Sequence, residues 1–280
     1  VRVGITVFLT DRTIDPVTLA REAEARGFAS LYFPEHTHIP VSRVTAPPTG
    51  DDVLDEEYKR TLDPLVAIGA AAAVTSTLAL GTGVSLVAQH DPIVMAKQLA
   101  TLDLLSAGRI TLGVGFGWNE DEMNDHGVQY ATRREHTREH VLAMHALWTQ
   151  DEAAFHGTYV TFDPSWSWPK PVQQPRLRTL VGGGGGPKLF AAVAEYADGW
   201  FPIGGAGLRD AIPRLRAVWD AAGRIGAPEV VPFGVLPEPG KLEHYRTLGC
   251  TEAVLRLDGA GRDDTLRQLD ELVAVAEPFR

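Results

Sequence analysis

Three stretches of this chain carry residue types whose spacing can support chemistry. The first is Gly182-Gly183-Gly184-Gly185-Gly186-Pro187-Lys188. Five residues without side chains let backbone N–H groups approach an anion, and Pro187 suits the first turn of a following helix. The positive end of that helix would face the loop, and Lys188 adds charge. A tight turn is the plainer reading, but five glycines between a strand and a helix favour a phosphate cradle over Gly183, Gly184, Gly185, Gly186, Pro187 and Lys188. The string is neither a Walker A sequence nor the Gly-x-Gly-x-x-Gly fingerprint. The second stretch is Pro34-Glu35-His36-Thr37-His38. A histidine at the end of a strand can take and give a proton near neutral pH. His36 and His38 also have the look of a metal pair, but a metal site needs three or four converging ligands, and the later strand ends offer no companions, so no metal is expected. The third is Leu112-Gly113-Val114-Gly115-Phe116-Gly117-Trp118, where Gly115 and Gly117 permit close backbone approach and Trp118 can wall a pocket. A fourth match, His136-Thr137-Arg138-Glu139-His140, fits the inverted zinc-protease string. It flanks the apolar face Val141, Met144, His145 and Trp148 of one helix with no third ligand, so it reads as a helix flank.

These residues must be positioned by alternating strands and helices. Apolar runs predict strands at Arg2–Phe8, Ser30–Phe33, Leu78–Val84, Ile110–Val114, Thr179–Val181, Gly199–Phe201, Val230–Val235 and Ala253–Leu257. Helices are expected at Asp15–Arg26, Asp63–Thr75, Pro92–Ser106, Thr132–Trp148, Pro187–Tyr196, Leu208–Ile225, Lys241–Leu248 and Arg262–Val275. Asp15-Pro16, Asp63-Pro64 and Asp91-Pro92 each set a capping carboxylate before a proline at the first helical position. Gly27, Gly108, Gly226 and Gly249 fall where helices should stop with positive φ. Eight βα units predict an α/β fold, one (β/α)8 barrel domain over residues 1–280. Insertions are expected after strand two (Pro34 to Arg60), after strand four (Phe116 to Ala131) and before strand five, where Phe155 to Gln174 reads as a hairpin. Insertions after strand ends land on the barrel face where active sites sit.

Composition narrows the function classes. Of 280 residues, 36 are acidic and 26 basic, for a formal net charge of −10, which disfavours a general nucleic-acid binder. No apolar run reaches the roughly 18 residues of a membrane span. Cys250 is the single cysteine and cannot form an internal disulfide, and Val1 to Ile5 reads as a strand rather than a signal peptide. A cytoplasmic protein is the expectation.

The order of these pieces resembles the bacterial-luciferase-like family of flavin and deazaflavin oxidoreductases. Gly27-Phe28-Ala29-Ser30-Leu31-Tyr32-Phe33-Pro34-Glu35-His36 looks like its second strand and histidine. Leu80-Gly81-Thr82-Gly83-Val84, His90-Asp91-Pro92 and Lys97 to Asp103 resemble its third strand and helix. Leu105-Ser106-Ala107-Gly108-Arg109-Ile110 with Leu112 to Trp118 is the most specific stretch, and Pro169 to Gln173 and Ala197-Asp198-Gly199-Trp200 flank the glycine run in the family order. Residues 1 to 205 carry the resemblance well and the rest loosely. It implies a (β/α)8 barrel with coenzyme F420 on its C-terminal face, FMN being the alternative, and hydride transfer to or from a small organic substrate. It implies His36 near the reactive carbon, a non-proline cis peptide at Gly83-Val84 behind the ring, and a phosphate loop at the glycine run. The expected site is thus His36 for proton transfer, with Glu35, Gly83, Val84, Gly115, Gly117 and the glycine run on the cofactor. Trp118 and His38 would line the substrate pocket. Some sugar-phosphate dehydrogenases of this branch place a Glu directly after the strand-four glycines. Trp118 stands there here, with Glu120 and Glu122 nearby but not equivalent, which speaks against a sugar-phosphate substrate. The family is often dimeric, so a homodimer is expected. An FMN-dependent monooxygenase, a non-catalytic cofactor binder and a metal-dependent barrel hydrolase are the alternatives.

Overall fold

Side chains alternate across a strand, so each barrel strand sends every second residue inward and the others against the helices. A computed structural model of the chain describes residues 1–46 and 53–279. Its strands are β1 (Arg2–Thr6), β2 (Ser30–Phe33), β3 (Ala79–Thr82), β4 (Ile110–Val114), β5 (Ala153–His156), β6 (Thr161–Ser165), β7 (Arg178–Gly182), β8 (Gly199–Phe201), β9 (Glu229–Val230), β10 (Phe233–Val235) and β11 (Glu252–Arg256). Nine of them form one parallel sheet in the order β10-β11-β1-β2-β3-β4-β7-β8-β9. β9 and β10 are two halves of one stave. Val231 and Phe233 donate to the Trp200 and Pro202 carbonyls on one side, while Val254 donates to the Pro232 carbonyl on the other. The two edges therefore meet, and eight staves close a barrel. Pro232 has no N–H to give, and the ladder breaks at it. β5 and β6 form the antiparallel hairpin expected before β7.

The helices are α1 (Pro16–Ala25), α2 (Pro64–Ala72), α3 (Pro92–Leu105), α4 (Glu120–Asp125), α5 (Arg133–Thr149), α6 (Pro187–Tyr196), α7 (Leu208–Ala221), α8 (Pro239–Thr247) and α9 (Arg262–Ala276). The three Asp-Pro starts behave as the sequence implies. Asp15 accepts from Thr18 N, Asp63 from Val66 N, and Asp91 from both Ile93 N and Val94 N. Gly27, Gly108, Gly226 and Gly249 all hold positive φ. The short helix α4 was not foreseen; it lies in the insertion after β4. Among the described residues no helix is long and apolar enough to cross a membrane.

Inside the barrel the packing is layered. At the N-terminal end Ser30, Arg178, Glu229 and Glu252, each the first residue of its strand, meet in a polar cluster. Above it Tyr32, Leu180, Phe201, Val231 and Val254 fill the interior. The large rings fit because glycines face them: a Cβ on Gly81 would sit 2.7 Å from Tyr32, and one on Gly83 would sit 2.5 Å from Phe233. The outward residues of the same strands, such as Ile5, Leu31, Leu80, Leu112 and Val181, pack under the helices in the larger core.

Candidate active site

The C-terminal mouth of the barrel opens into a cavity of about 460 Å³. Its floor is built from the ends of β3, β4 and β7. Between Thr82 and Ser85 the chain bulges: the Thr82 hydroxyl donates to Gly113 O, Ser85 N donates to Gly113 O, and Gly115 N donates to Ser85 O. The two residues between, Gly83 and Val84, are joined by a cis peptide, at the position the sequence resemblance implies, and both line the cavity. Val84 rests on two glycines. A Cβ on Gly115 would run into its Cγ2, and one on Gly182 would lie 2.9 Å from its Cγ1. The result is a small apolar ledge with bare backbone on either side.

Glu35 fixes that ledge from below. Its carboxylate is buried and accepts from the Ser85 hydroxyl at 2.5 Å, Leu86 N at 2.6 Å and His90 Nε2 at 2.7 Å. Burial alone would push this carboxyl up, but the His90 hydrogen bond and charge, with Ser85 and Leu86, outweigh it and hold the pKa below the usual range. Glu35 thus belongs to the cavity wall, while its charge is spent inside the protein. Glu35, expected on the cofactor from sequence, lines the cavity with its carboxylate held by these three donors.

His36, the next residue, is largely buried and turns to the cavity. Its Nδ1 lies 2.8 Å from Oε2 of Glu122, a fully buried residue of α4. A carboxylate only accepts, so the pair places a proton on Nδ1 and directs Nε2 elsewhere. Among the described residues Nε2 has no hydrogen-bond partner. Two rings pack against this histidine, and a third packs behind one of them. Tyr58 lies 5.3 Å and Trp118 5.8 Å from it, centroid to centroid, and Phe8 packs 5.0 Å from Tyr58.

The mouth also carries cations. Arg133 and Arg134, in the first turn of α5, line the cavity beside Gly182 and Gly183. Arg133 stacks on Tyr130 and Arg134 on Phe116. Arg133 Nε and Arg134 Nη1 are buried and lack a partner among the described residues. Burial, and then the Arg133 charge, lower the pKa of Arg134. Two cavity-lining guanidiniums with no carboxylate partner among the described residues suit an anionic ligand group.

Several sequence expectations are redirected by this geometry. Of the glycine run only Gly182 and Gly183 reach the wall, and Gly183 needs its freedom, with φ of 131°. Gly184, Gly185, Pro187 and Lys188 are exposed, and Gly186 caps α6, because the chain turns outward as that helix begins. Gly185 instead lets the loop lie on Trp200, 2.9 Å from a hypothetical Cβ. His38 does not line the cavity. It passes over α4, where its ring meets Asp125 at 2.9 Å and the Thr37 hydroxyl at 3.1 Å. Gly117 and Trp118 are on the wall as expected. In the zinc-protease-like string, Glu139 accepts from Thr158, Tyr159 and Val160 N and so anchors the β5–β6 turn, while His140 Nδ1 bonds the His136 carbonyl. Among the described residues no group of His, Cys, Asp and Glu could hold a metal ion. Tyr58, Phe8, Arg133 and Arg134 were not singled out from sequence, and Glu122 was named there only as an acid near the strand-four glycines. The one local signal was Asn119-x-x-Glu122, the spacing of a helix cap, which Asn119 does supply to α4.

The luciferase-like monooxygenase family model matches residues 12–236. An uncharacterized protein of Mycobacterium tuberculosis is 48% identical over 274 residues, 97% of this chain and 97% of its own length. The monooxygenase RslO1 of Streptomyces bottropensis superposes with a TM-score of 0.81 at 20% identity, over 100% of this chain and 99% of that one. An F420-dependent secondary alcohol dehydrogenase, solved with an F420-acetone adduct, superposes with a TM-score of 0.75 at 17% identity, over 98% of each chain.

Proposed function

The chain belongs to the luciferase-like monooxygenase family, and on that footing we propose that it is an oxidoreductase that binds coenzyme F420 and moves a hydride between this deazaflavin and a small organic substrate. The observation that carries the reading is one cavity lined both by two cations and by a histidine with an uncommitted Nε2. Arg133 and Arg134, without a carboxylate partner among the described residues, line the same cavity as His36. A cofactor with a phosphate-bearing tail and a flat ring fits that lining. Arg133, Arg134 and the Gly182–Gly183 backbone would hold the phosphate, and the Val84 ledge over Gly115 and Gly182 would back the ring. When bound, the deazaflavin supplies two-electron hydride chemistry. His36 takes or returns the substrate's proton at Nε2, with Glu122 holding the imidazole at Nδ1.

F420 and FMN titrated side by side against the purified protein, read by fluorescence, test the reading. Micromolar or tighter binding of F420 with weaker FMN binding is the expected outcome. A preference for FMN replaces the reading with an oxygen-activating monooxygenase. Binding of neither removes the cofactor assignment altogether.

A further inference from the structure

We infer that His90, which stands off the cavity wall, is a positioning residue for the cofactor: it holds the Val84 ledge through Glu35, and the proton on its ring ties the grip of the cavity to pH. The inference rests on the cofactor reading for what lies on the ledge.

Glu35 lines the cavity, yet its side chain is only 1% exposed, so its charge needs an internal partner. Of its three donors, the Ser85 hydroxyl and Leu86 N belong to the ledge and bring no charge. His90 Nε2, at 2.7 Å, is the third, and only this donor can carry one. Its ring is 20% exposed, so solvent protons reach the pair through His90. The ionised carboxylate accepts from all three donors at once. A carboxylic acid gives up acceptor capacity to its own proton. The ledge depends on that difference because Ser85 is tied on both sides: its N donates to Gly113 O, and its O accepts from Gly115 N. A shift of Ser85 is therefore felt at Val84 before it and at Gly115 beneath.

The charges around His90 come from several elements. Glu35 and Asp63, the cap of α2, attract its proton, His126 at the end of α4 opposes it, and His140 of α5 faces its backbone. Burial alone would lower the His90 value, but the Glu35 hydrogen bond and charge, then the Asp63 charge, outweigh it and hold it above 6.5. A ring seated on the ledge removes water from the cavity side of Glu35, where a paired carboxylate is far more stable than a lone one. Binding then favours the protonated imidazole and raises its value further. Affinity must accordingly fall as pH rises through the value of the free protein.

F420 titrated from about pH 6 to about pH 9 into the parent chain, His90→Gln and His90→Lys tests this. A rise of about one unit in the His90 value on binding makes the parent about tenfold weaker at the upper end. His90→Gln keeps a donor for Glu35 without the charge and should hold the parent's weaker, high-pH level throughout. His90→Lys keeps the charge across the window and should hold the tighter level. Titration of the cofactor and of His36 is common to the three chains and cancels in the comparison. A pH step that persists unchanged in His90→Gln overturns the role of His90. Methyl NMR of Val84 supplies a readout that needs no cofactor. Its signals should move with the His90 ring as pH changes in the parent and stay fixed in His90→Gln. Val84 signals that ignore His90 overturn the inference even where F420 binds. A coupled response in a protein that binds neither F420 nor FMN retains the His90–Glu35–Val84 linkage and removes the cofactor reading.

Discussion

At the scale of single residues, the reacting end depends on a histidine whose orientation is set by a buried acid. His36→Ala should lower turnover about a hundredfold, the contribution typical of a positioned proton carrier, while leaving F420 affinity within a few-fold. Glu122→Gln keeps the shape but removes the charge opposite Nδ1, and should cost about tenfold in turnover. Because Glu122 acts through His36, the double variant should be no worse than His36→Ala alone. Additive losses in steady-state kinetics would assign Glu122 a separate task. The glycines make a second comparison. Gly115→Ala forces its Cβ into Val84, at a cost of about 1–3 kcal/mol, and should weaken cofactor binding as the ledge shifts. Gly184→Ala meets nothing within 4 Å and should leave both melting temperature and titration unchanged. His36 could be read from sequence because a histidine at a strand end announces itself. The pairing of Glu122 with His36 could not, since the helix that aims the acid has only six residues. Arg133 and Arg134 look like the ordinary charged start of an amphipathic helix, and only the folded chain shows that two of their donors face no partner.

At the scale of elements, sequence reading worked where a local rule sets the boundary. β2, β4, β8 and α6 run over the residues expected, and the Asp-Pro starts place α1, α2 and α3. It worked less well where a long-range contact decides. The stave near residue 230 breaks at Pro232, which has no N–H for the ladder, although both halves bond the strands on either side. The loop before β3 is another such contact, and it carries a pH signature. Glu24, near the end of α1, accepts from Ser76 N, Thr77 N, Leu78 N and the Thr77 hydroxyl. Burial opposes ionisation there, but the three amides and the hydroxyl prevail and hold the carboxyl at about 2, against an ordinary 4.5. A depressed pKa stabilises the fold fully above the unfolded value, and that stabilisation is lost as pH falls through the folded value. Glu24→Gln should therefore lower the urea midpoint at neutral pH. The gap from the parent chain should close between pH 4.5 and about 2. A gap that stays constant over that window would mean the amide serves the loop as well as the carboxylate does.

At the scale of the whole molecule, the two ends of the barrel divide the work. The C-terminal mouth keeps donors unpaired and aromatic surface open, while the N-terminal end is closed by a satisfied polar plug. Arg178 lies at the centre of that plug. It reaches Glu229 at 2.6 and 3.1 Å, Glu252 at 3.4 Å, the Tyr32 hydroxyl at 3.2 Å and the Thr111 hydroxyl at 3.1 Å. Glu252 in turn accepts from Ser30 and Tyr32 and pairs with Arg2, tying β1, β2, β7, β9 and β11 together. Removing the cation leaves Glu252, almost fully buried, without its interior partner, and such a loss typically costs about 3–5 kcal/mol. Because the plug is partly open at Glu229, Arg178→Met should fall near the lower figure, about 3 kcal/mol by chemical denaturation. The plug touches none of the cavity wall except through the interior layer of Tyr32, Phe201 and Val254, so F420 affinity measured on the folded fraction should not change. A variant that keeps its stability but loses cofactor binding would mean that the interior layer transmits position from one end of the barrel to the other, and that the site is set by the plug as well as by the loops above it.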